Sequence, residues 1–269
     1  MTESPKALHF SVTVERNYPL YPGTLLLRYK RFLADVRLDD GTELTAHCVN
    51  TGAMEGLTTP GTRVWLRHSA SLTRKLPYTW ELAEIDGQIL GVDTGFPNRL
   101  VKRLLHDRHL PWINDWKECR PEKKLGVNCR TDFYLTTSEG PIYLEVKNCH
   151  LVYPDNVAYF PDCVSTRAAH HMEELAALPG EKEDGLPIRA MVLFCVQIPT
   201  AQAVRPSDVH DPVFAKAARS AADAGVAFHA IRVTHELDSM KVEGPLPVDL
   251  LPYEPANVLQ WKAESRQVK

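Results

Sequence analysis

The chain has 269 residues, of which 44% are hydrophobic and 24% charged, with a formal net charge of −3. That length suits one large domain or two small ones, and that composition belongs to an ordinary soluble globular protein with enough apolar residues for a full core. An acidic net charge excludes bulk nucleic-acid binding by charge alone, and no apolar run approaches the roughly 18 residues that a transmembrane helix needs.

The first 80 or so residues read as strands joined by turns. Leu25 to Leu38 is one long extended stretch ending at Asp39-Asp40-Gly41. Glu43 to Val49 follows, then Thr62 to His68 entered through Pro60-Gly61. Trp80 to Ile85 runs into Asp86-Gly87, and Gln88 to Val92 pairs back. Short strands with Gly and Pro turns at this spacing predict a small barrel. The loop Asn50-Thr51-Gly52-Ala53-Met54-Glu55-Gly56 is glycine-rich but lacks the lysine and spacing of a phosphate-binding loop.

From about Pro97 helices and strands alternate, which predicts an α/β unit. Asn98 to His106 is helical, with Leu100, Val101, Leu104 and Leu105 on one side. Two strands flank Ser138-Glu139-Gly140-Pro141, and Ser165 to Leu178 is a second helix. Pro179 to Pro187 is a polar loop. Ala190 to Ile198 is a continuous apolar run, as a buried central strand requires. Asp211 to Ala224 is a third helix with Pro212 in its first turn, closed by Gly225, and Val226 to Val233 is a further strand. The last 20 or so residues, polar and Pro-containing, read as a loosely held tail. Met1 to Phe10 shows no secretory signal, and the six cysteines form no CxxC pair, so reduced thiols in the cytoplasm are expected.

Charge is uneven along the chain. Residues 1–80 hold ten Lys or Arg against seven Asp or Glu, so the remainder is acidic. An acidic domain can still act on a polyanion when divalent cations mask its carboxylates. One hairpin offers such a site. Arg130 to Thr136 and Ile142 to Asn148 flank the turn, and antiparallel pairing sets Asp132 roughly opposite Glu145. Lys147, two residues on, shares the face of Glu145, while Phe133, Leu135, Leu144 and Val146 point to the other face. Like charges opposed on a sheet destabilise it, and a divalent cation held by both would compensate, with Lys147 beside it to orient water. A plain surface ion pair between Lys147 and a carboxylate is the competing reading. Glu122, in a basic segment, could add a third carboxylate. Arg167, His171 and Glu174 share a helix face that could set Arg167 and His170 or His171 over a phosphate, or simply be solvated. In the barrel, Arg28-Tyr29-Lys30-Arg31-Phe32 interleaves cations with aromatics, a pattern that suits single-stranded nucleic acid or an ordinary strand with solvated cations. Arg74 and Lys75, with Arg99, Lys102 and Arg103, add further positive points.

The chain resembles the sugar fermentation stimulation protein A family. The matching stretches are Leu27 to Val36, His47-Cys48 with Asn50-Thr51-Gly52, and Arg74 to Leu82. Further on come Pro97 to Val101, Arg130 with Asp132-Phe133, Glu145-Val146-Lys147-Asn148, Phe160-Pro161-Asp162 and Gly225-Val226. The resemblance implies an α+β two-domain fold, an N-terminal β-barrel (OB-fold) followed by an α/β PD-(D/E)XK nuclease-like domain. The expected limits are 1–84 for the barrel, 85–247 for the second domain and 248–269 for the tail. It implies DNA binding, a regulatory role in sugar utilisation and nuclease activity. Its nuclease motif falls on Asp132, Glu145 and Lys147, with Glu122 matching an upstream helix glutamate supported by Gly126. The helix after Asp162 departs from the family pattern, reading Thr166-Arg167-Ala168 and His170-His171 where Glu-Arg-Gly and Lys-His are usual. Histidine is mostly uncharged at neutral pH, so phosphate contact there is weakened. Val49 replaces the usual proline.

The expectation is therefore a cytoplasmic protein of DNA and/or RNA, with no membrane contact and a homodimer compatible with it. Asp132, Glu145 and Glu122 would hold Mg²⁺ or Mn²⁺, and Lys147 would assist the attacking water. Arg28, Lys30, Arg31, Arg74, Lys75, Arg167 and His171 would contact the nucleic acid. The rival is a non-catalytic DNA-binding regulator of sugar-utilisation genes, and a weaker third is a phosphoesterase of small nucleotides.

Overall fold

The computed structural model describes residues 9–113, 115–126 and 129–267. Strands β2 (Leu20–Tyr29), β3 (Leu33–Leu38), β4 (Glu43–His47), β5 (Arg63–His68) and β6 (Tyr78–Ile85) lie in the order β4-β3-β2-β5-β6. A parallel bridge from His47 to Thr79 joins β4 to β6 and closes a five-stranded barrel. The period of two is plain in β3, where Ala34, Val36 and Leu38 are buried while Arg37 is exposed. Register shifts in β2 between Leu25 and Leu27, and in β5 between Trp65 and Leu66, bend the strands as a closed barrel demands. Gly23 permits the tightest β2–β3 approach, since a Cβ there would lie 2.7 Å from the Arg37 carbonyl oxygen. These strands form an OB-fold.

The single extended stretch expected from Leu25 to Leu38 is instead a hairpin. Lys30 and Arg31 turn the chain with φ of 50° and 63°. No Gly, Pro or Asn marks this turn, and its hold comes from elsewhere. The Cys48 N–H donates to the Phe32 carbonyl at 2.7 Å, and the Arg28 guanidinium donates to the Arg31 carbonyl at 3.3 Å.

The second domain is α/β. Its seven-stranded sheet runs, edge to edge, β1 (Phe10–Glu15), Ser239–Gly244, Ala227–His235, Arg189–Val196, Ile142–Cys149, Phe133–Thr137 and β8 (Trp116–Pro121). The three central strands are parallel and the flanking ones antiparallel. The apolar run expected as a central strand is one, with every residue from Ala190 to Val196 buried. Helix α1 (Phe96–His106) covers one face through Leu100, Val101, Leu104 and Leu105, which pack on Leu135, Leu144 and Leu193. Helices α2 (Thr166–Ala176) and α3 (Pro212–Asp223) cover the other through Met172, Leu175 and Phe214, against Val192 and Phe194.

The expected domain limits shift in three places. A boundary at 84/85 falls inside β6, and β7 (Gln88–Gly91) pairs back on it, so the barrel sheet continues through Gly91. The Asp86-Gly87 turn is the hairpin turn expected from the sequence, and it lies within the barrel sheet. Strand β1 leaves the barrel altogether and forms the edge of the other sheet, against Ser239–Gly244. The tail is not loose over its described part: helix α4 (Ala256–Gln267) buries Val258 and sets Trp261 beside Tyr153, ring centroids 6.1 Å apart.

The domains are joined by buried charge. Glu81 on β6 is only 1% exposed. It accepts from Tyr18 Oη at 2.6 Å and Arg67 Nε at 2.8 Å, and pairs with Arg16 just past β1. Burial and the Glu81 charge push the Tyr18 hydroxyl up to about 12. Asp93 pairs with Arg99 of α1 at 2.8 Å. On the opposite side Asp162 accepts from the Met54 N–H at 3.1 Å. No helix among the described residues is long and apolar enough to cross a membrane.

Candidate metal and nucleic-acid site

Strands Phe133–Thr137 and Ile142–Cys149 pair with Phe133 opposite Leu144 and Leu135 opposite Ile142. One further step in that register sets Asp132 across from Glu145, as the hairpin arithmetic expects. Phe133, Leu135, Leu144 and Val146 pack in the core under α1. Glu145 and Lys147 lie on the other face and are themselves buried, at 3% and 8% exposure. That burial rules out a surface ion pair. A charge this deep is tolerated only with partners, because desolvation otherwise outweighs it.

Glu145 has two. Lys147 Nζ donates to its Oε1 at 2.6 Å, and His171 Nδ1 lies 2.6 Å from the same oxygen. Burial pushes the Glu145 carboxyl up, but the Lys147 ammonium and the His171 contact outweigh it, and the group is held below its ordinary range. Oε2 takes no hydrogen bond from the described residues.

Asp132 behaves in the opposite way. It sits one residue before its strand, where the ladder ends, and its carboxylate caps free donors. Oδ2 accepts from the Val146 N–H and Oδ1 from Asn98 Nδ2 of α1, each at 2.7 Å. Burial, then the Glu145 charge, outweigh these donors and raise its pKa above the usual carboxylate value. The two carboxylates thus feel each other, one held ionised and the other pressed toward its proton. Thr131, fully buried, steadies the turn into Asp132 by donating to the Leu144 carbonyl at 2.7 Å.

Glu122 stands apart. It follows the end of β8 rather than lying in a helix, and its φ of 54° turns the side chain outward. Its N–H reaches the Asp132 carbonyl at 3.2 Å, but its carboxylate, 72% exposed, pairs with Arg130 at 3.3 Å. Among the described residues no three His, Cys, Asp or Glu side chains gather into a metal-holding group.

His171 is also displaced from its expected place. On α2 it is buried rather than presented to solvent, with its ring turned onto Glu145. The helix is fixed by Ser165 as N-cap, accepting from the Ala168 N–H at 3.2 Å, and by Ala168, Met172 and Leu175 beneath it. Arg167 is exposed one turn before, and its Nε donates toward His171 Nε2 at 3.4 Å. His170 is half-exposed and lies 3.5 Å from Glu174.

In the barrel, Lys30 and Arg31 are exposed at the hairpin tip with Phe32, and Lys75 is exposed on a loop. Arg28 is not free for a ligand: it donates to the Asn50 and Gly52 carbonyls at 2.9 and 3.0 Å and holds that loop. Arg74 donates to His47 Nδ1 at 3.0 Å.

Asn98 and the His171–Glu145 contact escaped sequence reasoning as site features. Asn98 lay in a recognised motif, Pro97 to Val101, with no pattern to say that it reaches Asp132. His171 carried the right face periodicity, but only the packing of α2 on the sheet turns that face inward.

Comparison with known proteins agrees with this architecture. Residues 26–92 match the model of the SfsA N-terminal OB domain, and residues 95–239 match that of the sugar fermentation stimulation protein RE domain. A sugar fermentation stimulation protein homolog of Citrifermentans bemidjiense is 43% identical over 230 residues, covering 86% of this chain and 97% of the relative. One from a Jannaschia species is 43% identical over 239 residues, covering 87% and 96%. The structure of Pyrococcus furiosus SfsA in complex with Ca²⁺ superposes with a TM-score of 0.79 at 27% identity, covering 88% of this chain and 98% of that one. Matches over most of the chain, across both the barrel and the α/β domain, place it in the sugar fermentation stimulation protein family.

Proposed function

We propose that this protein binds nucleic acid and hydrolyses phosphodiester bonds at Asp132, Glu145 and Lys147 with a divalent metal ion. The observation that carries the reading is the opposed carboxylate pair, Glu145 buried and Asp132 half-buried across from it. A fold does not keep two such carboxylates in repulsion for stability's sake, and a divalent cation is the partner that relieves both.

The donor set fits such an ion. Asp132 and Glu145 offer hard oxygens, and Glu145 Oε2 is left open by the two donors on Oε1. Mg²⁺ and Mn²⁺ keep several waters and need only one or two carboxylates, so the absence of a third ligand among the described residues is compatible with them. The relative from Pyrococcus furiosus, solved with Ca²⁺, supports a divalent site in the family. When bound, the ion would supply an activated water and charge stabilisation at the phosphate.

The chain's own residues divide the remaining work. Asn98 and the Val146 N–H fix Asp132. Lys147 keeps Glu145 ionised and places an ammonium where negative charge develops in phosphoryl transfer. Lys30, Arg31 and Lys75 offer exposed cations for backbone phosphates, and Phe32, 51% exposed beside Arg31, offers a face for a base.

Labelled single-stranded and duplex DNA and RNA, incubated with Mn²⁺, Mg²⁺ or EDTA, test the reading beside Asp132→Ala and Lys147→Ala. Cleavage is expected with metal alone and in neither variant. Cleavage surviving both substitutions would refute the site. Tight binding with no cleavage under any metal would support a non-catalytic regulator instead.

A further inference from the structure

Glu145 is the buried carboxylate of the pair, and unlike Asp132 it takes no backbone donor on its side chain among the described residues; both of its contacts are side chains, and both fall on one oxygen. Lys147 supplies charge, but an ammonium on a four-carbon stem is a poor device for fixing a rotation. The imidazole is a better one. It is planar, 5% exposed, and carried on a helix whose start is capped twice, by Ser165 and through Asp211, which accepts from the Ser165 N–H at 2.8 Å.

The proton on that ring can be placed from its neighbours. Arg167 Nε is a donor only, so His171 Nε2, 3.4 Å away, must accept. With Nε2 accepting, the nitrogen left to donate is Nδ1, 2.6 Å from Glu145 Oε1. The chain Arg167 Nε to His171 to Glu145 runs in one direction, each group donating to the next. Its outer end is exposed on the helix surface and its inner end is the carboxylate.

The geometry points to His171 as a positioning residue: held as the Nδ1–H tautomer by Arg167, it fixes the rotation of Glu145 so that Oε1 is spent on donors and Oε2 is presented to a divalent cation. This rests on the metal-site reading above and assigns His171 a role different from phosphate contact. Carboxylates and imidazoles oriented by such outer contacts typically lose tenfold or more in metal affinity when the contact is removed.

Two measurements on the full chain test it. The first needs no metal: ¹⁵N spectra of the histidine side chains read the tautomer of His171, identified by its loss in His171→Asn. A protonated Nδ1 with a bare Nε2 is expected, and the reverse tautomer or a doubly protonated ring would overturn the inference. The second is Mn²⁺ affinity by titration calorimetry, with circular dichroism confirming each fold. His171→Asn, whose amide nitrogen stands where Nδ1 stands, is expected to stay within a few-fold of wild type. His171→Gln, whose amide nitrogen stands where Nε2 stands, is expected to lose about tenfold or more. Equal affinity in wild type and His171→Gln, or equal loss in both variants, would overturn it. A wild-type chain that shows the Nδ1–H signal yet takes no Mn²⁺ would refute the metal-site reading and leave the tautomer assignment standing.

Discussion

Lys147→Met separates the charge of Lys147 from its packing. Methionine keeps the unbranched stem and removes the ammonium, leaving Glu145 buried with His171 as its one contact. Breaking one partner of a buried pair costs about 3–5 kcal/mol where the remaining charge cannot escape. Here it can, by taking a proton. In the wild type the Glu145 carboxyl is held below its ordinary value, so it contributes stability that is present above the unfolded pKa and lost as pH falls through the folded one. Without Lys147, burial dominates and the folded pKa rises above the unfolded one. The sign then reverses: the variant loses stability as pH climbs through and beyond the carboxylate range. The expected deficit is therefore about 3 kcal/mol at pH 8 and well under half that at pH 5. Urea unfolding at pH 5, 6, 7 and 8 measures it, monitored through tryptophan fluorescence. The double variant Glu145→Gln with Lys147→Met should recover much of the pH 8 deficit, because no buried charge is left alone. A deficit equal at all four pH values, or a double variant that loses the sum of the two single ones, would refute the argument.

Asp132 gives the complementary expectation for metal. Burial and the Glu145 charge raise its pKa, so its ionisation opposes folding as pH rises, and a cation reverses that penalty. Thermal melts should show Mn²⁺ raising the midpoint more at pH 8 than at pH 5, with EDTA cancelling the gain and Asp132→Asn abolishing it; a shift independent of pH would count against Asp132 as a ligand. The exposed tip residues should act through charge: Lys30→Ala with Arg31→Ala is expected to weaken single-strand binding and lower the log–log salt slope by about 1.4, read by fluorescence anisotropy across a salt series. Arg28→Ala should instead destabilise the fold, since its guanidinium holds the Asn50 and Gly52 carbonyls, and an unchanged melting point would contradict that role. Glu81→Ala takes the carboxylate from the buried Arg16 guanidinium and leaves Arg67 its longer contact to Asp93 at 3.6 Å, and it should cost about 3 kcal/mol, measured by denaturant unfolding.

The parts of this molecule that were legible in its sequence are those fixed by local rules. The face shared by Glu145 and Lys147 follows from a period of two, and their opposition to Asp132 follows from one tight turn. The central strand from Ala190 announced itself because it is apolar at every position. The parts that were not legible depend on packing between distant elements. Lys30 and Arg31 make a turn that no turn residue signals, because the hold on it comes from Arg28 and from Cys48 across the barrel. Strand β1 reads as part of the barrel by position, yet its partner Ser239–Gly244 lies more than 220 residues away. Glu122 is beside Asp132 along the backbone, but a single positive φ sends its side chain to Arg130. His171 shares a face with Arg167 and Glu174, and only the docking of α2 shows that this face looks down on Glu145.

The asymmetry of the two carboxylates follows from where each stands on the sheet. Asp132 lies at the ladder's end, so a backbone N–H, that of Val146, is available to cap it. Glu145, across from it, pairs with Val192 on its other side, and its carboxylate is served by the side chains of Lys147 and His171. That difference lets the protein fold with Glu145 buried and Asp132 half-buried. One is kept ionised by Lys147 and His171, while the other is pressed toward its proton. A divalent cation removes the reason for the difference, because it favours the ionised form of both. Binding the ion would therefore release a proton from Asp132 at pH values where that group is still partly protonated, and the proton count measured by calorimetry in buffers of differing ionisation enthalpy should rise as pH falls. No proton release at any pH would mean that Asp132 is not a ligand, and the opposed pair would need another explanation.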